Sequence, residues 1–88
     1  MKEQNSSPRP ETLFSTFAVS LAASALIHMG ETPDPTDNQV HVNRLLARQT
    51  IDTLEMLAQK TKGNLTDEEK NLMQDLLFDL RMRYAQKK

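Results

Sequence analysis

The sequence predicts an all-α protein of three helices: an antiparallel helix hairpin packed on an apolar N-terminal helix, in an oligomeric assembly. Three observations carry this. Residues 44–61 and 67–85 repeat their apolar positions at the helical period of about 3.6. Helix punctuation brackets them, with Asn43 and Gly63 around the first and Thr66-Asp67-Glu68-Glu69 opening the second. Two glycines, four prolines, three phenylalanines and one tyrosine are too few turn-forming and aromatic residues for a many-turned all-β fold.

Eighty-eight residues make one domain at most, read as an arm over 1–11, a three-helix domain over 12–86 and a tail of 87–88. A core of this size is marginal unless the chain associates. Eleven basic against twelve acidic side chains leave a net charge of −1, which argues against a surface built to meet nucleic acid or an anionic membrane. With no cysteine there is no disulfide, thiolate metal site or cysteine nucleophile, and a reducing, cytoplasmic setting fits.

The opening stretch, MKEQNSSPRPE, is polar, holds two prolines and has no period, so it reads as a disordered arm. Lys2 and Arg9 are matched by Glu3 and Glu11, so the basic n-region of a signal peptide is missing. The first helix runs from Thr12 to Met29, with Gly30 as its stop. Its strongest face collects Leu13, Phe14, Phe17, Leu21 and Ile27, but Val19, Ala22, Ala23 and Leu26 make the opposite side apolar too. The small residues Ala18, Ala22 and Ala25, and Ser20 with Ser24, suit close approach of neighbouring backbones. The uncharged run of Leu13 to Met29 spans only about 26 Å against a hydrocarbon core of about 30 Å, which favours a buried core helix over a membrane span.

Pro33 and Pro35 forbid a helix through the connector Glu31–Val42, and Val40-His41-Val42 is expected to run briefly extended. The second helix, Arg44 to about Thr61, carries Leu46, Ala47, Ile51, Leu54, Leu57 and Ala58 on one stripe, with Leu45 and Met56 off it. The third helix, Asp67 to about Ala85, opens on a capping box and carries Leu72, Met73, Leu76, Leu77, Leu80 and Tyr84 on its stripe, with Phe78 and Met82 opposite. The short link 62–66 folds the two helices into a hairpin.

Phe14–Glu31, Pro33-Asp34-Pro35 and residues 46–84, with their ARQTID, KTKGNLT and DLRMRY segments, resemble a bacterial family of small proteins known only as a domain of unknown function, family eighteen forty-four. The resemblance covers about four fifths of the chain and implies a small soluble helical protein, with no activity or catalytic residue to carry over. It departs in the connector, where the family often has a glycine turn and this chain reads Thr36-Asp37-Asn38.

No residue is assigned catalysis, and no cofactor or metal is expected. His28 closes an apolar helix and His41 sits in a loop, without H-x-x-x-H or H-E-x-x-H spacing. Ser15, Ser20 and Ser24 lack a nucleophile elbow and an activating histidine–acid pair. Asp75/Asp79 and Asp52/Glu55 lie beside arginines on polar faces, as ion pairs do. Lys60-Thr61-Lys62-Gly63-Asn64 follows a helix and lacks the phosphate-loop pattern, so it reads as a helix end.

Three apolar surfaces are left over once the stripes pack: one side of the first helix, the Leu45/Met56 line and the Phe78/Met82 patch. They predict a protein that works by association, as a homo-oligomer (a dimer first) or on a protein partner, with interface candidates Val19, Ala23, Leu26, Leu45, Met56, Phe78 and Met82. Two alternatives are a membrane-associated protein using the first helix and a weak binder of nucleic acid or an acidic partner. The latter would use the basic cluster Arg81, Arg83, Lys87 and Lys88.

Overall fold

The computed structural model describes residues 10–87 of the chain. Three helices, α1 (Pro10–Met29), α2 (Arg44–Lys60) and α3 (Asp67–Gln86), pack together. The expectation of a disordered arm lies outside the described residues for 1–9; Pro10 and Glu11 already belong to α1. A proline is compatible with the first helical position, because the N–H it lacks would have no intrahelical acceptor there.

Each helix end follows from its local sequence. The Asn43 side chain accepts from the Leu46 N–H at 3.0 Å and so caps α2. Thr66 and Glu69 form a reciprocal capping box on α3: the Thr66 hydroxyl accepts from the Glu69 N–H at 3.1 Å, and the Glu69 carboxylate from the Thr66 N–H at 2.8 Å. This explains why Glu69 is the one buried charged residue among those described. Asp67, Glu68 and Glu69 also place negative charge at the positive end of the helix dipole.

Gly30 ends α1 at φ +80°, and a β-carbon there would stand 2.7 Å from Val42 Cγ2. Gly63, at φ +88° after α2, has open space around it. The two glycines therefore separate a backbone penalty from a packing penalty. Gly63→Ala is expected to cost about 1 kcal/mol for the left-handed conformation alone. Gly30→Ala should cost clearly more, about 2–3 kcal/mol, because Val42 must also move. Urea unfolding of the two variants tests this; equal losses would mean that the Val42 contact is soft.

Between the helices, Val40 and Val42 lie over Gly30, and the one isolated bridge among the described residues pairs Asp34 with Gln39. Asn38 takes φ 58° in that turn. Asparagine tolerates the left-handed region better than most residues with a β-carbon, which suits it to this turn position.

The core holds Ala18, Ala22, Ala25 and Met29 of α1, Ala47, Ile51 and Leu54 of α2, and Met73, Leu77 and Leu80 of α3. For α3 these three lie on the stripe read from the periodicity, with Leu76 and Tyr84 packed beside them and Leu72 outside the cluster. For α2 it is the corresponding stripe without Leu46, which sits exposed at its edge. On α1 the face differs from the one that sequence ranked strongest. The alanine face turns inward, while Leu13 and Phe17 stay 55% and 51% exposed. Complementary volume explains this: α2 and α3 already fill the interior with Ile51, Leu54, Leu77 and Leu80, and small side chains on α1 fit between them at close backbone separation. α1 packs most extensively on α2.

Polar contacts tie the end of α3 to the rest. The Arg44 guanidinium stacks 4.2 Å from the Tyr84 ring centroid and donates to the Lys87 carbonyl at 2.6 Å. Glu31, just past α1, pairs with Arg83 at 3.0 Å and Lys87 at 3.2 Å. The Asn43 N–H donates to the His28 carbonyl at 2.7 Å, holding the start of α2 against the end of α1. Such exposed ion pairs contribute only about 0–1 kcal/mol each, so they orient α3 more than they stabilise it.

Candidate functional site

The residues that stand out are apolar and on the surface. Of the interface candidates, Phe78 and Leu45 are 68% and 67% exposed, and Val19, Ala23, Met56 and Met82 are exposed as well. Leu26 is different, half-buried against the core. Phe78 and Met82 line a shallow groove of about 400 Å³ along α3, floored by Leu77 and flanked by Gln74 and Arg81. A second, smaller groove between α2 and α3 is crossed by the Arg48–Asp52 and Arg81–Glu55 pairs, at 4.0 and 3.0 Å.

Leu13 and Phe17, on the strongest apolar face of α1 by sequence, are surface residues. A signal for this existed. Thr12 to Gly30 holds no Asp, Glu, Lys or Arg, so α1 has an uncharged outer face whichever side it buries. Periodicity alone could not choose between two apolar sides.

The basic cluster is largely engaged within the chain. Arg81 pairs with Glu55, Arg83 with Asp79 at 2.8 Å and with Glu31, and Lys87 with Glu31; Lys88 lies outside the described residues. Asp79, then Glu31, hold the Arg83 guanidinium even more firmly protonated than usual. Tyr84 is half-buried beneath Arg44, so its ring is not free to stack on a base.

His28 occupies the last turn of α1, half-buried, and its carbonyl accepts from Asn43. Ser15 and Ser24 are half-buried and Ser20 is exposed. Around Gly63, the Thr61 hydroxyl donates to the Leu57 carbonyl at 2.6 Å and the Asn64 N–H to the Thr61 carbonyl at 2.9 Å, which is helix-ending chemistry. A cleft of about 350 Å³ beside it is lined by Lys62, Lys70 and Asp67 over Ala58 and Met73. Among the described residues no three of His, Asp and Glu are placed to hold a metal ion, and no helix is long and apolar enough to cross a membrane.

The connector carries the strongest local electrostatics. The Asp34 carboxylate accepts from the Thr36 N–H and hydroxyl at 2.9 and 2.7 Å, which keeps its pKa below the ordinary 3.8. Asp37 bonds the His41 ring at 2.7 Å; that bond raises the His41 pKa above 6.5 and, with one from the Gln39 N–H, lowers the Asp37 pKa below 3.8. The raised histidine contributes fully below pH 6.5 and its contribution is lost as pH rises through its folded pKa. The lowered carboxylate contributes above 3.8 and is lost as pH falls through its own. The turn is therefore best held between those two values. In Asp37→Asn the His41 titration, followed by NMR of the imidazole protons, is expected to move down toward 6.5. An unmoved midpoint would mean that the contact is not formed in solution.

No curated protein and no solved structure matches the chain. A family model does, over residues 11–86, nearly the whole described region. Its three packed helices are thus one instance of that family's fold, and the chain belongs to the family described as Domain of unknown function (DUF1844).

Proposed function

We propose that the protein is a cytoplasmic association module, not an enzyme: a three-helix subunit built on an antiparallel α2–α3 hairpin that pairs with itself, as a dimer first, or docks on a protein partner. One observation carries the reading. α1 has no Asp, Glu, Lys or Arg from Thr12 through Gly30, yet the core takes in only its alanine face and Met29, with Phe14, Leu21 and Leu26 packed beside it, leaving Leu13, Phe17 and Val19 about half exposed. A helix that lives with one face in water normally carries charge there. Burying the remaining area of these side chains contributes on the order of 1 kcal/mol each. The exposed Leu45 and Met56 on α2 and Phe78 and Met82 on α3 add further apolar surface.

Light scattering on the full chain tests the reading. The expected mass approaches twice the 10.0 kDa of one chain as the concentration rises. A constant monomer up to about 100 µM removes the self-pairing version. The nucleic-acid reading draws less support, because Arg81, Arg83 and Lys87 are already matched by acids of the same chain.

A further inference from the structure

The far end of α3 is held by charge where the rest of the helix is held by packing. Leu80 is its last buried residue, and among the described residues beyond it only half-buried Tyr84 packs against the core, although the helix runs on to Gln86. What fixes these final turns is polar and comes from the junction of α1 and α2. That junction is closed by backbone bonds of its own. The Gly30 and Glu31 N–H groups donate to the Ile27 and Leu26 carbonyls at 3.0 and 2.9 Å, and the Asn43 N–H donates to the His28 carbonyl. Glu31 and Arg44 are therefore placed by backbone that does not depend on α3.

Lys87 is gripped at both ends. Its ammonium lies 3.2 Å from the Glu31 carboxylate, and its carbonyl accepts from the Arg44 guanidinium at 2.6 Å. Glu31 also takes Arg83 at 3.0 Å, and Arg44 stacks on Tyr84. Two side chains of the junction thus hold the last turn of α3, and that of Glu31 is only 25% exposed.

We propose that residues 83–87 form an ionic clasp: a segment that closes on the α1–α2 junction through Glu31 and Arg44, and opens as ionic strength rises while the core stays folded. Little apolar area holds the segment down, so its opening costs far less than global unfolding. Both cations of the segment meet one carboxylate, so screening or loss of Glu31 weakens Arg83 and Lys87 together. Asp79 continues to pair with Arg83 when the clasp opens, because both lie on α3. Opening separates Arg44 from Tyr84 and uncovers that ring, so salt controls access to this end of the core. The clasp lies within one chain and does not rest on the self-pairing reading.

Amide hydrogen exchange followed by NMR on the full chain tests it. Between about 20 and 500 mM salt, protection at residues 84–87 is expected to fall roughly three- to tenfold, while Leu54, Met73 and Leu77 keep theirs. Glu31→Gln should show the lower protection already at low salt and should remove most of the further salt dependence. Asp52→Asn, which breaks the exposed Arg48 pair on α2, should change neither. Protection at 84–87 that is insensitive to salt, or unchanged by Glu31→Gln, overturns the clasp. An equal loss at Leu54 and Leu77 also overturns it, because the opening would then be global. A salt effect whose size changes with protein concentration would lie between chains, and overturns it as well.

Discussion

Leu54→Ala is expected to cost the monomer fold about 2–5 kcal/mol, among the largest losses from truncating any one of the described residues. Leu54 is fully buried, as are Met29 and Leu80, and it extends from α2 into a core that all three helices share. Removing its isobutyl group forfeits the transfer energy of the deleted atoms and opens a cavity that three helices cannot close without moving together. A domain this small starts near the low end of the usual 5–15 kcal/mol, so the variant should be partly unfolded at ordinary temperature. Urea unfolding should show a lower midpoint with an unchanged slope. A loss under about 1 kcal/mol would show that the helices do not enclose Leu54 in solution.

The second large effect comes from adding atoms. Ala25 is fully buried where α1 meets the other helices, and Ala25→Leu is expected to cost about 1–3 kcal/mol by forcing α1 outward. For a chain of this length that lowers the melting temperature by roughly 4–8 °C per kcal/mol. The informative comparison is Phe17→Ala. Hydropathy alone ranks a phenylalanine as the more important residue, yet Phe17 is half exposed, and in dilute monomer its loss should cost less than the alanine enlargement. Melting curves at low concentration decide between the two. If Phe17→Ala proves the more harmful there, the face assigned to the core is the wrong one.

That comparison marks where sequence reading stopped. The helices themselves were legible, because their signals are local: the Asn43 cap, the Thr66–Glu69 box and the glycines after Met29 and Lys62 act within a few residues of the bonds they decide. The inner face of α3 was legible too, since its apolar side is single and its opposite side is mostly polar. Leu46 is exposed because it lies at the margin of the α2 stripe, where a small rotation of the helix decides burial. α1 starts at Pro10, two residues before the Thr12 that the sequence suggests, because a proline fits the first helical turn although it breaks a helix further in.

The candidate site was legible in part. Leu45, Met56, Phe78 and Met82 fall off their helices' inner stripes, and off-stripe apolar residues can be counted from spacing alone. Leu13 and Phe17 could not be found that way. Nor could the engagement of Arg81, Arg83 and Lys87, whose acidic partners Glu55 and Glu31 come from elements far away in the chain.

By itself, the sequence determined that this chain makes three helices, where each begins and ends to within two residues, and that its first helix carries no charge. Only the tertiary structure decided which side of that helix faces in. An all-round apolar helix has no preferred side until the bulk of its neighbours is known. The bulky side chains of α2 and α3 selected the alanines together with Met29, and Leu13, Phe17 and Val19 were left at the surface.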